Sequence, residues 1–204
     1  MSRRLLYVVN DAGYFLSHRA DLARAAAAGW EVHVATAFAD GPDPLRERIR
    51  ALGLIPHAIP VKRFGLRLDR ELRAVWAIFR LMRTIKPDLV HLVALKAVLV
   101  GGLAAALARV PARVVTIAGL GYVFGSRGWR ERLARAAFRL ALLGVVSANT
   151  RVIVQNSEDM ARIAVTRFIA RRGLEHARKR RHFVDGHEPV GLGQLHDVPP
   201  VGPG

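Results

Sequence analysis

Short, continuous apolar runs alternate with segments of helical period along most of the chain. Leu5–Val9 is the first such run, and it stops at Asn10-Asp11-Ala12-Gly13. It reads as a strand buried on both faces, followed by a loop. Ser17–Ala28 has helical spacing, with Gly29 as its C-terminal stop. Glu31–Thr36 is a second strand. Asp43-Pro44 supplies an N-cap and a first-turn proline for a helix reaching Leu52. Leu54–Pro60 reads as a short third strand, and Asp69 caps a long helix ending near Lys86. Asp88–Val93, Arg113–Ile117 and Arg151–Val154 are further strands. A small-residue helix over Ala97–Arg109 and a basic helix over Gly128–Ser147 separate them. Ser157 caps a last helix, with Glu158 and Asp159 in its first turn.

Strands that are apolar on both faces and alternate with helices fit a parallel sheet covered on both sides. The expected architecture is therefore a doubly wound α/β domain of Rossmann type over residues 1–171. From Arg172 the pattern breaks. Arg178-Lys-Arg-Arg181 is a charge run, and the chain beyond Asp185 carries Gly, Pro and His without periodicity. Residues 172–204 are expected to form a disordered basic tail.

Charge and composition narrow the choices. The 204 residues include 32 Lys and Arg against 16 Asp and Glu, a formal net charge of +16. Such a surface attracts polyanions, whether lipid, nucleic acid or phosphorylated substrate. There is no cysteine, so disulfides and thiolate metal sites are excluded. The longest apolar stretch, Ala97–Ala108, is shorter than the ~20 residues a membrane span needs.

In a parallel sheet, ligands bind beyond the carboxyl ends of the strands. Three segments there carry chemistry. The first is Asn10–Arg19, with Gly13, Phe15, His18 and Arg19 as candidate contacts. It lacks the Gly-x-Gly-x-x-Gly of a dinucleotide site and the Gly-Lys-Ser/Thr of a P-loop. Its aromatics suit a sugar or lipid better than a pyrophosphate. The second is His91 with Lys96, where the strand Leu89–Val93 passes into its helix. A histidine in an apolar strand is commonly a hydrogen-bonded structural residue, and a lysine there needs an anion or carbonyl to offset desolvation. The third is the turn Gly119-Leu120-Gly121-Tyr122, whose glycines permit close approach of a ligand. On the long helix, Leu72, Val75, Trp76, Phe79, Met82 and Ile85 read as a core stripe. Arg70, Arg73, Arg80 and Arg83 read as solvated, with contact to anionic lipid as the alternative.

Several segments together resemble the N-terminal domain of GT-B glycosyltransferases of family 4. These are Phe15-Leu-Ser-His-Arg19, Gly29-Trp-Glu-Val-His-Val-Ala35, Pro87-Asp-Leu-Val-His-Leu92 with Lys96, Ala118-Gly-Leu-Gly-Tyr-Val-Phe124 and Arg151-Val-Ile-Val-Gln-Asn156. The likeness is greatest to the branch that builds lipopolysaccharide, capsule and exopolysaccharide. It implies retaining transfer of a sugar from a nucleotide-diphosphate donor to a saccharide acceptor, often linked to polyprenyl diphosphate. The setting it implies is cytoplasmic, at the inner face of the plasma membrane. No metal or cofactor is expected beyond the donor substrate. By the same resemblance, Gly13 and Phe15 border the diphosphate or acceptor. His18, Arg19 and Lys96 contact acceptor phosphate or sugar, and Gly119–Tyr122 line the cleft. Many relatives carry a histidine in the turn after the fifth strand; here the turn is Ala118-Gly119.

By the same resemblance the family continues into a second, donor-binding domain, and this chain is expected to lack it. The expectation is a truncated or frameshifted product, inactive alone unless another polypeptide supplies that half, with the tail out of frame. The competing reading is a non-catalytic basic module for anionic lipid or nucleic acid. The tail has no interleaved aromatics, which disfavours nucleic acid.

Overall fold

A computed structural model describes residues 2–39, 41–61, 68–117 and 149–154. The strands are β1 (Arg3–Val9), β2 (Trp30–Thr36), β3 (Ile55–Ala58), β4 (Leu89–Val93), β5 (Ala112–Ile117) and β6 (Thr150–Val154). The helices are α1 (Ala12–His18), α2 (Ala20–Ala26), α3 (Pro44–Ala51), α4 (Leu68–Ile85) and α5 (Leu95–Leu107). All described strands pair in parallel, in the order β3-β2-β1-β4-β5-β6. This is the doubly wound, Rossmann-like sheet expected from the apolar pattern.

Alternation along each strand divides the core in two. Leu5, Tyr7 and Val9 of β1 join Val32 and Val34 of β2 against Ala12, Phe15, Ala23 and Ile49 from α1, α2 and α3. Leu6, Val8, Val90 and Leu92 face Ala74, Ile78 and Met82 of α4 and Val98 and Ala104 of α5. Each fully buried large side chain contributes about 1.5–3 kcal/mol relative to exposure. The two-sided burial of Leu5–Val9 is what makes the chain's first run continuous rather than alternating.

Three elements depart from the reading of the sequence. The first helix begins at Ala12, not Ser17, because Asp11 rather than Ser17 is the cap: its Oδ1 accepts from the Tyr14 amide at 2.7 Å. The helix then breaks at Arg19 and resumes as α2. α4 starts at Leu68, so Asp69 lies in the first turn, where its carboxylate pairs with Arg73 at 2.8 Å. The apolar stripe of α4 is also rotated. Its buried line is Ala74, Ile78, Met82 and Ile85, with Val75 and Phe79 packed beside it, whereas Leu72 and Trp76 are exposed. Ala74 heads the buried line: a small residue lets the helix approach the sheet, and large ones then fall on the outer side. By contrast, Asp43 caps α3 as expected, accepting from the Leu45 and Arg46 amides, with Pro44 in the first turn. The basic helix over 128–147, the helix from Ser157 and the tail from Arg172 lie outside the described residues.

α5 approaches the sheet through Gly101. A Cβ there would meet Leu92 Cδ2 at 2.8 Å and Val8 Cγ1 at 3.3 Å. Both neighbours are fully buried, so neither has free space to yield. Gly101→Ala is expected to lower stability by about 1–2 kcal/mol, the overpacking cost less the gain in helix propensity. Urea denaturation of the two proteins checks this; a stabilised variant would show that the core repacks freely.

Candidate active-site crevice

The strand order reverses between β1 and β4, and there the helices that follow leave on opposite faces. Such a switch point opens a crevice at the carboxyl ends of the strands. Val9 is in register with Val93, and Val93 with Thr116. The segment after β1, the start of α5 and the end of β5 therefore share one rim. Gly13 is the second residue of α1 and Lys96 the second of α5, so both stand just beyond adjacent strands. The turn Gly119-Leu120-Gly121-Tyr122 lies outside the described residues.

The expected loop between β1 and a helix at Ser17 is a two-residue link, Asn10-Asp11, and its aromatics are helical. Gly13 sits against its own cap: a Cβ would lie 3.3 Å from Asp11 Oδ1. Phe15 is fully buried, with its ring edge-on to Tyr7 at 5.6 Å. This corrects the idea that Phe15 borders a sugar, because its side chain belongs to the core. His18 is exposed at the far end of α1, stacked on Tyr14 at 4.5 Å, with Nδ1 3.2 Å from the Tyr14 carbonyl. It is a helical turn or more from the rim.

Arg19 turns its charge toward the sheet. Its Nε is buried without a hydrogen-bond partner, and its Nη1 donates to the His18 carbonyl at 3.3 Å. Beneath it, His91 Nε2 and Thr116 Oγ1 are 2.8 Å apart, bridging β4 and β5, and the His91 ring lies 4.9 Å from Tyr7. Burial, aided by the Arg19 charge, pushes His91 down to about 4, so the imidazole is neutral at pH 7. Burial raises the Tyr7 hydroxyl, and Arg19 partly offsets that. Neutral His91 acts as a cross-strand clamp rather than a proton shuttle. Tyr7 and Thr116 escaped the reading of the sequence, since nothing in an apolar strand marks which polar tip will meet which.

Lys96 has its anion within the fold. Its Nζ lies 2.7 Å from Glu71 Oε1 of α4, with both side chains largely buried. A lysine in the first turn opposes the helix dipole, and Glu71 compensates for that. The pair fastens the first turn of α4 to the first turn of α5. Glu71 could be read from the sequence only as a favourable first-turn acid.

The rim's distinctive backbone feature is Ala94, the N-cap of α5, at φ 74° and ψ 152°. L-residues rarely adopt this region, and such strain concentrates at ligand sites. No side chain among the described residues caps α5, so the positive end of a 13-residue helix faces the crevice. Among the described residues, no group of three His, Cys, Asp or Glu is arranged to hold a metal. A separate half-buried chain, Glu31–His33–His57, spans β2 and β3: His33 Nε2 is 2.8 Å from Glu31 Oε1, and His33 Nδ1 is 2.9 Å from His57 Nε2.

A family model described as "Glycosyl transferase 4-like" matches residues 4–156. The chain belongs to this glycosyltransferase family. No curated protein sequence is significantly similar to it. Among solved structures, a sucrose-phosphate synthase fragment from Thermosynechococcus elongatus aligns at 16% identity and TM-score 0.50, covering 78% of this chain and 80% of that one. MurG of Acinetobacter baumannii aligns at 15% identity and TM-score 0.47, over 77% of this chain. The calicheamicin glycosyltransferase CalG4 aligns at 15% identity and TM-score 0.47, over 74%. This chain spans 42% of the MurG chain and 47% of CalG4. At these identities the likeness is one of fold. The resemblance to the N-terminal half of GT-B glycosyltransferases stands on the family match.

Two measurements test the rim of this glycosyltransferase domain. His91 binds its proton less readily when folded, so its contribution is complete above about pH 6.5 and is lost as pH falls toward about 4. The loss amounts to about 3 kcal/mol. His57 is also lowered, by burial and then by His33, and adds to the same fall. Subtracting the stability–pH curve of His91→Gln from that of the parent isolates the His91 share; identical slopes would refute it. Ala94→Gly should relieve strain and raise the unfolding free energy by about 1 kcal/mol. Thermal denaturation reads this, and a destabilised glycine variant would show that the backbone there is unstrained.

Proposed function

We propose that this glycosyltransferase-family domain is the acceptor-side wall of a retaining sugar-transfer cleft. The donor is a nucleotide-diphosphate sugar. The acceptor is a saccharide carried on a polyprenyl diphosphate, in cell-surface polysaccharide synthesis at the inner face of the plasma membrane. The observation that carries the reading is the uncapped α5 N-terminus at the switch point of a family-matched sheet. Backbone N–H groups at a helix start suit a diphosphate, and a strained N-cap fixes their direction.

Gly13 and the Asn10-Asp11 link border the same rim, while Arg19 and His91 stiffen the wall behind it. Lys96, engaged with Glu71, contributes positive potential rather than a free contact. Gly119–Tyr122 complete the lining in this proposal. One wall neither orients a donor nor excludes water, so transfer needs a second, donor-binding half, supplied by another segment or another polypeptide.

The purified chain should therefore bind a short-chain prenyl-diphosphate saccharide and transfer no sugar to it from nucleotide-sugar donors. Asn10→Asp, which adds a negative charge just past β1, should weaken that binding about five- to tenfold, the effect of roughly 1 kcal/mol of repulsion. Isothermal titration measures it. Unchanged affinity would remove the diphosphate from this rim, and efficient transfer by the chain alone would overturn the half-cleft reading.

A further inference from the structure

The outer face of α4 is unlike the solvated side of an ordinary helix. Leu68, Leu72 and Trp76 are 76%, 57% and 61% exposed, at spacings of four residues that place them in one line. Trp76 stacks on Phe79 at 5.4 Å, and Phe79 is packed against the core, which fixes the exposed indole in place. Arg73, Arg80 and Arg83 are exposed beside this line. The helix has two acids, and neither is left to offset Arg80 and Arg83. Glu71 is turned onto Lys96, and Asp69 accepts from Arg73 through its carboxylate at 2.8 Å and its carbonyl at 3.2 Å. No helix among the described residues is long and apolar enough to cross a membrane.

We propose that this face of α4 is a docking surface for an anionic phospholipid bilayer, with Leu72 and Trp76 entering the headgroup layer and Arg80 and Arg83 on lipid phosphates. An amphipathic ring on a short apolar line, flanked by arginines, matches the interfacial zone in both polarity and charge. A second copy of the chain fits poorly, because a two-fold contact through this face would bring arginines against arginines. The placement of α4 also has a purpose. The Lys96–Glu71 pair ties its first turn to the first turn of α5, so the apolar line starts at the crevice rim. A bilayer held on α4 would deliver a lipid-borne acceptor directly to that rim. This last step rests on the acceptor reading above; the docking itself does not.

Flotation of the full chain with phosphatidylcholine vesicles, with and without phosphatidylglycerol, tests the surface without any sugar present. Binding is expected only with phosphatidylglycerol. Leu72→Ser with Trp76→Ser should weaken it at least about tenfold, since one buried large apolar side chain accounts for that much or more. Arg80→Glu with Arg83→Glu should weaken it comparably at low salt and less at high salt. Trp76 emission should shift to the blue on the vesicles, and the shift should vanish in Trp76→Phe. Circular dichroism establishes that each variant is folded. Undiminished flotation of the folded Leu72→Ser, Trp76→Ser protein would overturn the proposal, as would self-association abolished by that variant without any vesicle binding. If flotation behaves as expected while Asn10→Asp leaves diphosphate affinity intact, the crevice reading fails and the docking surface survives. The opposite pair of results separates them the other way.

Discussion

The parallel ladder between Leu5–Val9 and Leu89–Val93 places the crevice. Those residues are buried on both faces apart from the half-buried Leu89, so neither strand can shift by one position without exchanging its two cores. With the register held, α1 and α5 must begin side by side on opposite faces of the sheet. The rim then follows from the ladder: Asn10-Asp11 on one side, the strained Ala94 on the other. Gly101 completes the constraint by letting α5 lie close enough to Val8 and Leu92 to lock it.

Charge inside this framework is spent on construction. Lys96 meets Glu71, Arg113 donates to the Ala105 carbonyl near the end of α5, and Arg4 donates to the Ile85 carbonyl at the end of α4. Each is a cation at a place where the backbone or a neighbouring acid requires one. Arg80 and Arg83 of α4 differ, because both acids of their own helix are engaged elsewhere, Glu71 with Lys96 and Asp69 with Arg73. The cations of the described fold thus form two populations, one internal and structural, the other facing outward.

How much of this could be read from the chain varied with the physics involved. Two-sided apolar runs announced the strands, and the parallel, doubly wound sheet followed from their alternation with helices. Asp43-Pro44 announced α3, because capping is a local interaction between neighbours. The start of α1 was missed, since Asp11 and Ser17 are both competent caps and only the strand's end decides between them. Phe15 was misjudged because an aromatic in a supposed loop looks available, whereas on a helix it points into the core. Leu72 and Trp76 were misjudged for the converse reason: two overlapping stripes fit the same helix, and the sheet selected the one containing Ala74. The partners of His91 and Lys96, Thr116 and Glu71, come from segments twenty-five residues away, a distance over which sequence pattern carries no information.

The Glu31–His33–His57 chain carries a consequence of its own. Two ring nitrogens facing each other at 2.9 Å can hold one proton between them, never two. That contact ties β2 to an edge strand of the described sheet, a mere four residues long. Burial, and then His33, hold the His57 imidazole below its ordinary range, so forcing a proton onto it works against the pairing of β3 with β2. Acid therefore works on the sheet in two places at once, at this edge seam and at the His91 clamp between β4 and β5.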